Sequence, residues 1–205
     1  MQREKRTVSG RLLEADFFPV FRSGRAMPTR APKEKQSSAA QAKYNRQQAI
    51  KKLIRLVNAN FDDGDYLMHP TYAQAQAPKD WDEAQKNIRN YVRRVRDARK
   101  RKLREVEQNI EDAEALCRVA PNKYIEQTLS RLVRTAEKLA EPLKYAIAIE
   151  EVTYKTGKKK GQTNYHYHLF ITGGLSRSAM ESLWNKGERV NCDRFRPDTF
   201  GPEAA

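Results

Sequence analysis

Cysteine is nearly absent. Cys117 and Cys192 are the only two in 205 residues, they sit in unlike contexts, and neither has metal-ligand spacing. That excludes a disulfide framework and a cysteine-based zinc site, and it suits a reduced, cytoplasmic protein. No apolar run approaches the roughly 18 residues a membrane helix requires, and no signal-peptide core follows Met1. Acidic residues are in deficit, 26 against 40 Lys and Arg, for a net charge of +14. A surplus of that size makes nucleic acid the leading partner. Histidine is scarce too, with three in all, and two of them stand side by side.

Those two lie in the run from Asn164 to Gly174, where aromatic and β-branched residues lead to a Gly-Gly stop. The run reads as a β-strand. Alternate side chains on a strand point to opposite faces, so His166, His168 and Phe170 share one face. Tyr167, Leu169 and Ile171 share the other, which suits a core. A His-x-His pair on a strand is commonly just half-exposed, but two such imidazoles also hold one divalent ion.

The rest of the chain gives these residues a setting. Leu12 to Phe21 is an apolar patch, a strand or hairpin packed on the main domain, and residues 26–42 form a flexible basic linker. Residues 1–45 are thus an appendage to a main domain at 46–205. A helix runs from about Tyr44 to Asn60, with Ile50, Leu53, Ile54 and Val57 at helical spacing. Tyr66 to Tyr72 is a short strand in which Pro70 marks an edge or a bulge. Asp80 caps a helix beginning at Trp81. Basic residues crowd its turns, and Arg93, Arg94, Arg96 and Lys100 are candidate nucleic-acid contacts. The helical spacing continues through Leu103, Val106 and Ile110, breaks at Pro121-Asn122, and resumes to Leu139. This predicts an inserted antiparallel helical hairpin over about 103–141.

Tyr145 to Tyr154 is a second strand. Lys158, Lys159 and Lys160, in the loop joining it to the histidine strand, are further nucleic-acid candidates. A helix capped by Ser176 and a strand from Arg189 to Phe195 complete the pattern, and Gly201 to Ala205 reads as the start of another helix. The fold class is α+β. The order β-α-β-β-α-β is that of a ferredoxin-like or RRM-like antiparallel sheet with helices on one face, interrupted by the helical hairpin.

The β-hairpin supplies a third ligand. With its loop centred near residue 159, Glu150 lies opposite His168 and Val152 opposite His166. Directly paired residues face the same way, and Ile147 and Ile149 belong to the core face, so Glu150 joins the histidines. A one-residue slip would substitute Glu151. Two imidazoles and a carboxylate with open positions suit Mg²⁺ or Mn²⁺ acting on a phosphate oxygen, and the ligand types also admit Zn²⁺ or Fe²⁺.

His166-Tyr167-His168-Leu169-Phe170-Ile171 is similar to the His-hydrophobic-His motif of HUH endonucleases. From about Lys51 the chain resembles the rolling-circle replication-associated (Rep) proteins of bacteriophages and plasmids. Asn58 to Tyr66 resembles the lead into that family's first strand, and Thr71-Tyr72 matches its end. Lys144 to Glu150 resembles the strand with the third metal ligand, and Leu183-Trp184 to Asn191 the elements after the histidines. The resemblance implies site-specific nicking of single-stranded or origin-hairpin DNA. A divalent cation polarises the phosphate, a tyrosine attacks, and a 5′-phosphotyrosine forms, with strand transfer initiating replication in a bacterial host cell. A host replicative helicase or polymerase would be a further partner. His69-Pro70 stands where the family has Thr-Leu, a departure from the usual pattern of that strand, and His69 ranks behind Glu150 as a further candidate ligand. In the family the nucleophile follows the last strand, in a Tyr-x-x-Lys-like segment. No tyrosine follows Tyr167, so the resemblance implies a truncated chain whose nucleophile lies beyond Ala205, able to bind metal and DNA but not to cleave. Were it to form an adduct, Tyr66, Tyr72, Tyr91 and Tyr165 would be the candidates. The competing reading is an RRM-like, non-catalytic binder of single-stranded nucleic acid.

Overall fold

The computed structural model describes residues 2–20, 38–157, 160, 161, 163–187 and 190–196. These form two compact units divided between Asn60 and Phe61. The expected loop contacts Lys158 and Lys159, most of the linker, and the helix start at 201–205 lie outside the described residues.

The first unit holds strands β1 (Gln2–Ser9) and β2 (Leu12–Pro19) and helix α1 (Ala39–Asn60). The strands form an antiparallel hairpin with Ser9 opposite Leu12. Gly10 turns the chain at φ +57°, and a Cβ there would sit 1.9 Å from the Asn58 carbonyl oxygen, so a side chain is excluded twice over. Arg55 pairs with Glu14 at 2.5 Å and Lys51 with Asp16 at 3.2 Å. The helix begins at Ala39, inside the stretch read as linker.

In the second unit the elements are β3 (Tyr66–Pro70), α2 (Trp81–Val119), α3 (Lys123–Ala140), β4 (Tyr145–Thr153), β5 (Thr163–Ile171), α4 (Arg177–Ser182) and β6 (Val190–Arg194). The four strands make one antiparallel sheet in the order β4-β5-β3-β6. The α+β class therefore holds, with two antiparallel sheets. The whole chain departs from a bare β-α-β-β-α-β order, because a hairpin and a helix precede it and two helices fill the first crossover. Pro70 marks a local edge, since the pairing of β3 with β5 stops at Met68 and only β6 is paired there. β3 is internal, and Pro70 is its last residue, where the missing N–H costs least.

Local chemistry sets the helix ends. The Asp80 carboxylate accepts from the Glu83 amide at 2.8 Å, the Asn122 side chain from the amides of Tyr124 and Ile125, and the Ser176 hydroxyl from that of Ala179. α2 is continuous over 39 residues. Its first turns bury Ala84, Ile88, Tyr91, Val92 and Val95 against Tyr66, Met68, Tyr167, Leu169 and Ile171 of the sheet. Its later turns pack Leu103, Val106 and Ile110 with Leu132, Ala136 and Leu139 of α3, the seam expected from the spacing. Met180 of α4 joins the same core. Among the described residues no helix is long and apolar enough to cross a membrane.

Cys192 is fully buried in this core, and burial pushes its thiol up to about 12, whereas Cys117 is half-buried on the arm. Since the thiolate is the reactive form, an aromatic disulfide reagent added to native protein should titrate Cys117 promptly. Cys192 should react at least about 100-fold more slowly, until denaturant is added. Two equally fast thiols would contradict this packing.

One buried junction fixes the strand ends. The Asp65 carboxylate, just before β3, accepts from the amides of Gly173 at 2.9 Å and Asp62 at 3.0 Å and pairs with Lys138 at 3.2 Å. Arg99 is also buried. Its guanidinium donates to the carbonyls of Gly173, Lys138 (2.8 Å), Leu139 (3.2 Å) and Glu141 (3.0 Å). The C-terminal carbonyls of α3 are thereby satisfied by a cation from α2.

Candidate metal centre

β5 alternates as its sequence requires. Tyr165, Tyr167, Leu169 and Ile171 are buried toward the helices, while His166, His168 and Phe170 are half-buried on the open side. Glu150 lies directly opposite His166, and Ala148 opposite His168. The expected pairing of Glu150 with His168 and Val152 with His166 is thus displaced by two residues. The turn between Thr153 and Thr163 is centred on residue 158, not 159, because composition does not fix loop length. An even displacement leaves the facing unchanged, so Glu150 still shares the histidine side. Glu151 pairs with Tyr165 and belongs to the helix side.

The contacts agree. The His168 Nε2 lies 3.5 Å from the Glu150 Oε2, and both side chains are open to solvent. His69 comes from β3 on the other flank of β5, and its ring meets that of His168 edge-on, with centroids 4.9 Å apart. Burial, and then His168, holds the His69 imidazole below its ordinary pKa, against the opposing pull of Asp193. A neutral imidazole keeps a lone pair free. Among the described residues no three His, Cys, Asp or Glu side chains close tightly enough, as they stand, to hold a metal ion. The donor chemistry nonetheless fits a divalent ion. One carboxylate and three imidazoles share one face on three adjacent strands, the carboxylate exposed and the imidazoles half-buried.

The aromatic side chains divide by face. Phe170 continues the histidine face and is packed by Phe61 at 5.8 Å and Phe195 at 5.7 Å between centroids. Tyr66, Tyr91 and Tyr165 are buried among the helix-side residues, and Tyr72 packs there with its hydroxyl 2.5 Å from that of Tyr167. None of these four borders the imidazoles. A concavity of about 690 Å³ also lies on the helix side, lined by Asp80, Glu83, Asn87 and Arg94. The histidines stand half-exposed on the opposite face of the sheet.

The basic stripe divides as well. Arg93, Arg96 and Lys100 are exposed on α2, on the layer behind the sheet. Arg94 is half-buried, and its Nε donates to the Leu183 carbonyl at 2.9 Å. Lys160 is exposed in the β4–β5 turn beyond His166. The candidate cations thus fall on two separate surfaces, which charge counting along one helix could not show. The approach of His69 follows from the strand order, for which the linear pattern carries no direct signal.

No family model, curated protein or solved structure matches this chain.

Proposed function

We propose that this chain carries the metal- and DNA-binding face of an HUH-type endonuclease that nicks and rejoins single-stranded DNA in rolling-circle replication. The observation supporting this reading is the placement of His166, His168 and Glu150 on the solvent side of a sheet whose other side carries both helix layers. The sheet order β4-β5-β3-β6 with crossovers behind it is consistent with a split-βαβ, ferredoxin-like core. A net charge of +14 supplies attraction for a polyanion.

In this reading the two imidazoles and the Glu150 carboxylate hold Mg²⁺ or Mn²⁺, which when bound supplies Lewis-acid polarisation of a phosphate oxygen. The flat face lets a strand lie across β5 without unfolding anything. Phe170 and the His168 ring offer surfaces for bases, and Lys160 in the neighbouring turn meets phosphate. Arg93, Arg96 and Lys100 serve a different stretch of nucleic acid on the helix layer. The tyrosine hydroxyl that attacks in this chemistry is not assigned to any of the buried tyrosines.

A second reading, an RRM-like binder that stacks bases without metal, is favoured by the aromatic Phe170 on the same face. Fluorescence anisotropy with a labelled single-stranded oligonucleotide pool separates the two. Under the nuclease reading, Mn²⁺ should tighten binding at least about 10-fold, EDTA should reverse the gain, and affinity should fall steeply with salt. Binding that is indifferent to Mn²⁺ and EDTA would remove the metal site and leave the stacking module.

A further inference from the structure

His69 is the histidine outside the His-x-His pair, yet the sheet brings it back to that pair. β3 runs antiparallel to β5 with Tyr66 opposite Ile171, Leu67 opposite Phe170 and Met68 opposite Leu169. Continuing this register by one residue sets His69 against His168, on the same face. The ring contact at 4.9 Å bears this out. The β3–β5 ladder itself stops at Met68, so the His69 backbone is tied to β6 alone, opposite Asn191. β5 is thus flanked by Glu150 on one side and His69 on the other.

We propose that His69 is a third imidazole ligand of the cation held by His166, His168 and Glu150, so that the site prefers a first-row transition ion such as Co²⁺ or Zn²⁺ to Mg²⁺. This rests on the metal reading above. It adds a donor and changes the ion. Mg²⁺ demands oxygen ligands and keeps its waters, whereas imidazole nitrogens favour the later first-row ions. Each added imidazole moves the balance further from Mg²⁺. Chelation needs only side-chain rotation on an open face, since the backbone already places the four donors on neighbouring strands.

The full chain should be titrated with Co²⁺, followed by visible absorption and calorimetry, and with Mg²⁺ in parallel. Wild type should bind one Co²⁺ at least about 100-fold more tightly than Mg²⁺. His69→Ala should weaken Co²⁺ by about 10–100-fold and leave Mg²⁺ within about 2-fold. Because that variant alters a strand end, a second measurement uses wild type alone. In a ¹⁵N histidine side-chain spectrum, one equivalent of diamagnetic Zn²⁺ should shift a ring nitrogen of each of the three imidazoles by the amount direct ligation produces. If only two imidazoles respond and His69→Ala binds like wild type while His166→Ala does not, the His69 proposal falls and the two-histidine site stands. If wild type binds no divalent ion, both fall.

Discussion

Replacing His166 and His168 together by alanine is expected to lower divalent-ion affinity by at least about 1,000-fold while moving the melting temperature by no more than about 2 °C. Losing even a supporting residue around a metal usually costs about 10–100-fold, and this variant removes two donors from one site. The fold should tolerate the change because both side chains lie on the open face, outside the buried core. Substitutions of that kind usually stay within about 0.5 kcal/mol, or some 2 °C for a chain of this size. Calorimetric titration beside a thermal melt reads both quantities. A melting point lowered by 10 °C would make the pair structural, and unchanged ion binding would remove the centre from this face.

The second large effect belongs to stability. Arg99→Met should cost on the order of 4 kcal/mol and lower the melting temperature by roughly 10 °C. The guanidinium is 3% exposed and donates to carbonyls from the end of α3 and from the segment after β5. Methionine fills much of the volume but donates nothing, so several buried carbonyls lose their partner at once. Arg99→Lys should rescue only part of the loss, because one ammonium cannot span the fork. Arg96→Met, less than one turn away on the same helix but exposed, should be nearly neutral. Equal melting curves for Arg99→Met and Arg96→Met would show that the buried fork contributes nothing.

Arg99 also marks where the linear pattern stops being informative. In sequence it is one of seven cations between Arg93 and Lys102, and nothing local separates it from Arg96. Only the meeting of α2 with the end of α3 assigns it to the interior. The opposite holds for β5, where strict alternation and the Gly-Gly stop make the two faces legible residue by residue. Asp80 and Ser176 were legible for the same reason, since a cap is a local event, whereas Asn122 was read only as part of a helix break. Pairing across the β-hairpin lay between these extremes. The apolar residues Ile147 and Ile149 fixed which side Glu150 takes, but the turn length that decides its exact opposite is a property of the loop. His69 was the least legible donor, because its neighbour in space is a hundred residues away in the chain.

The unbroken course of α2 has a mechanical consequence. Its 39 residues span about 58 Å, and Arg99 grips the sheet junction near the midpoint. The half beyond that point is a lever whose fulcrum is the guanidinium. With α3 packed along that half, a torque applied to the far end would arrive at Gly173 through Arg99 and at Asp65 through Lys138, and would be felt as a change in spacing between the strands that carry the imidazoles.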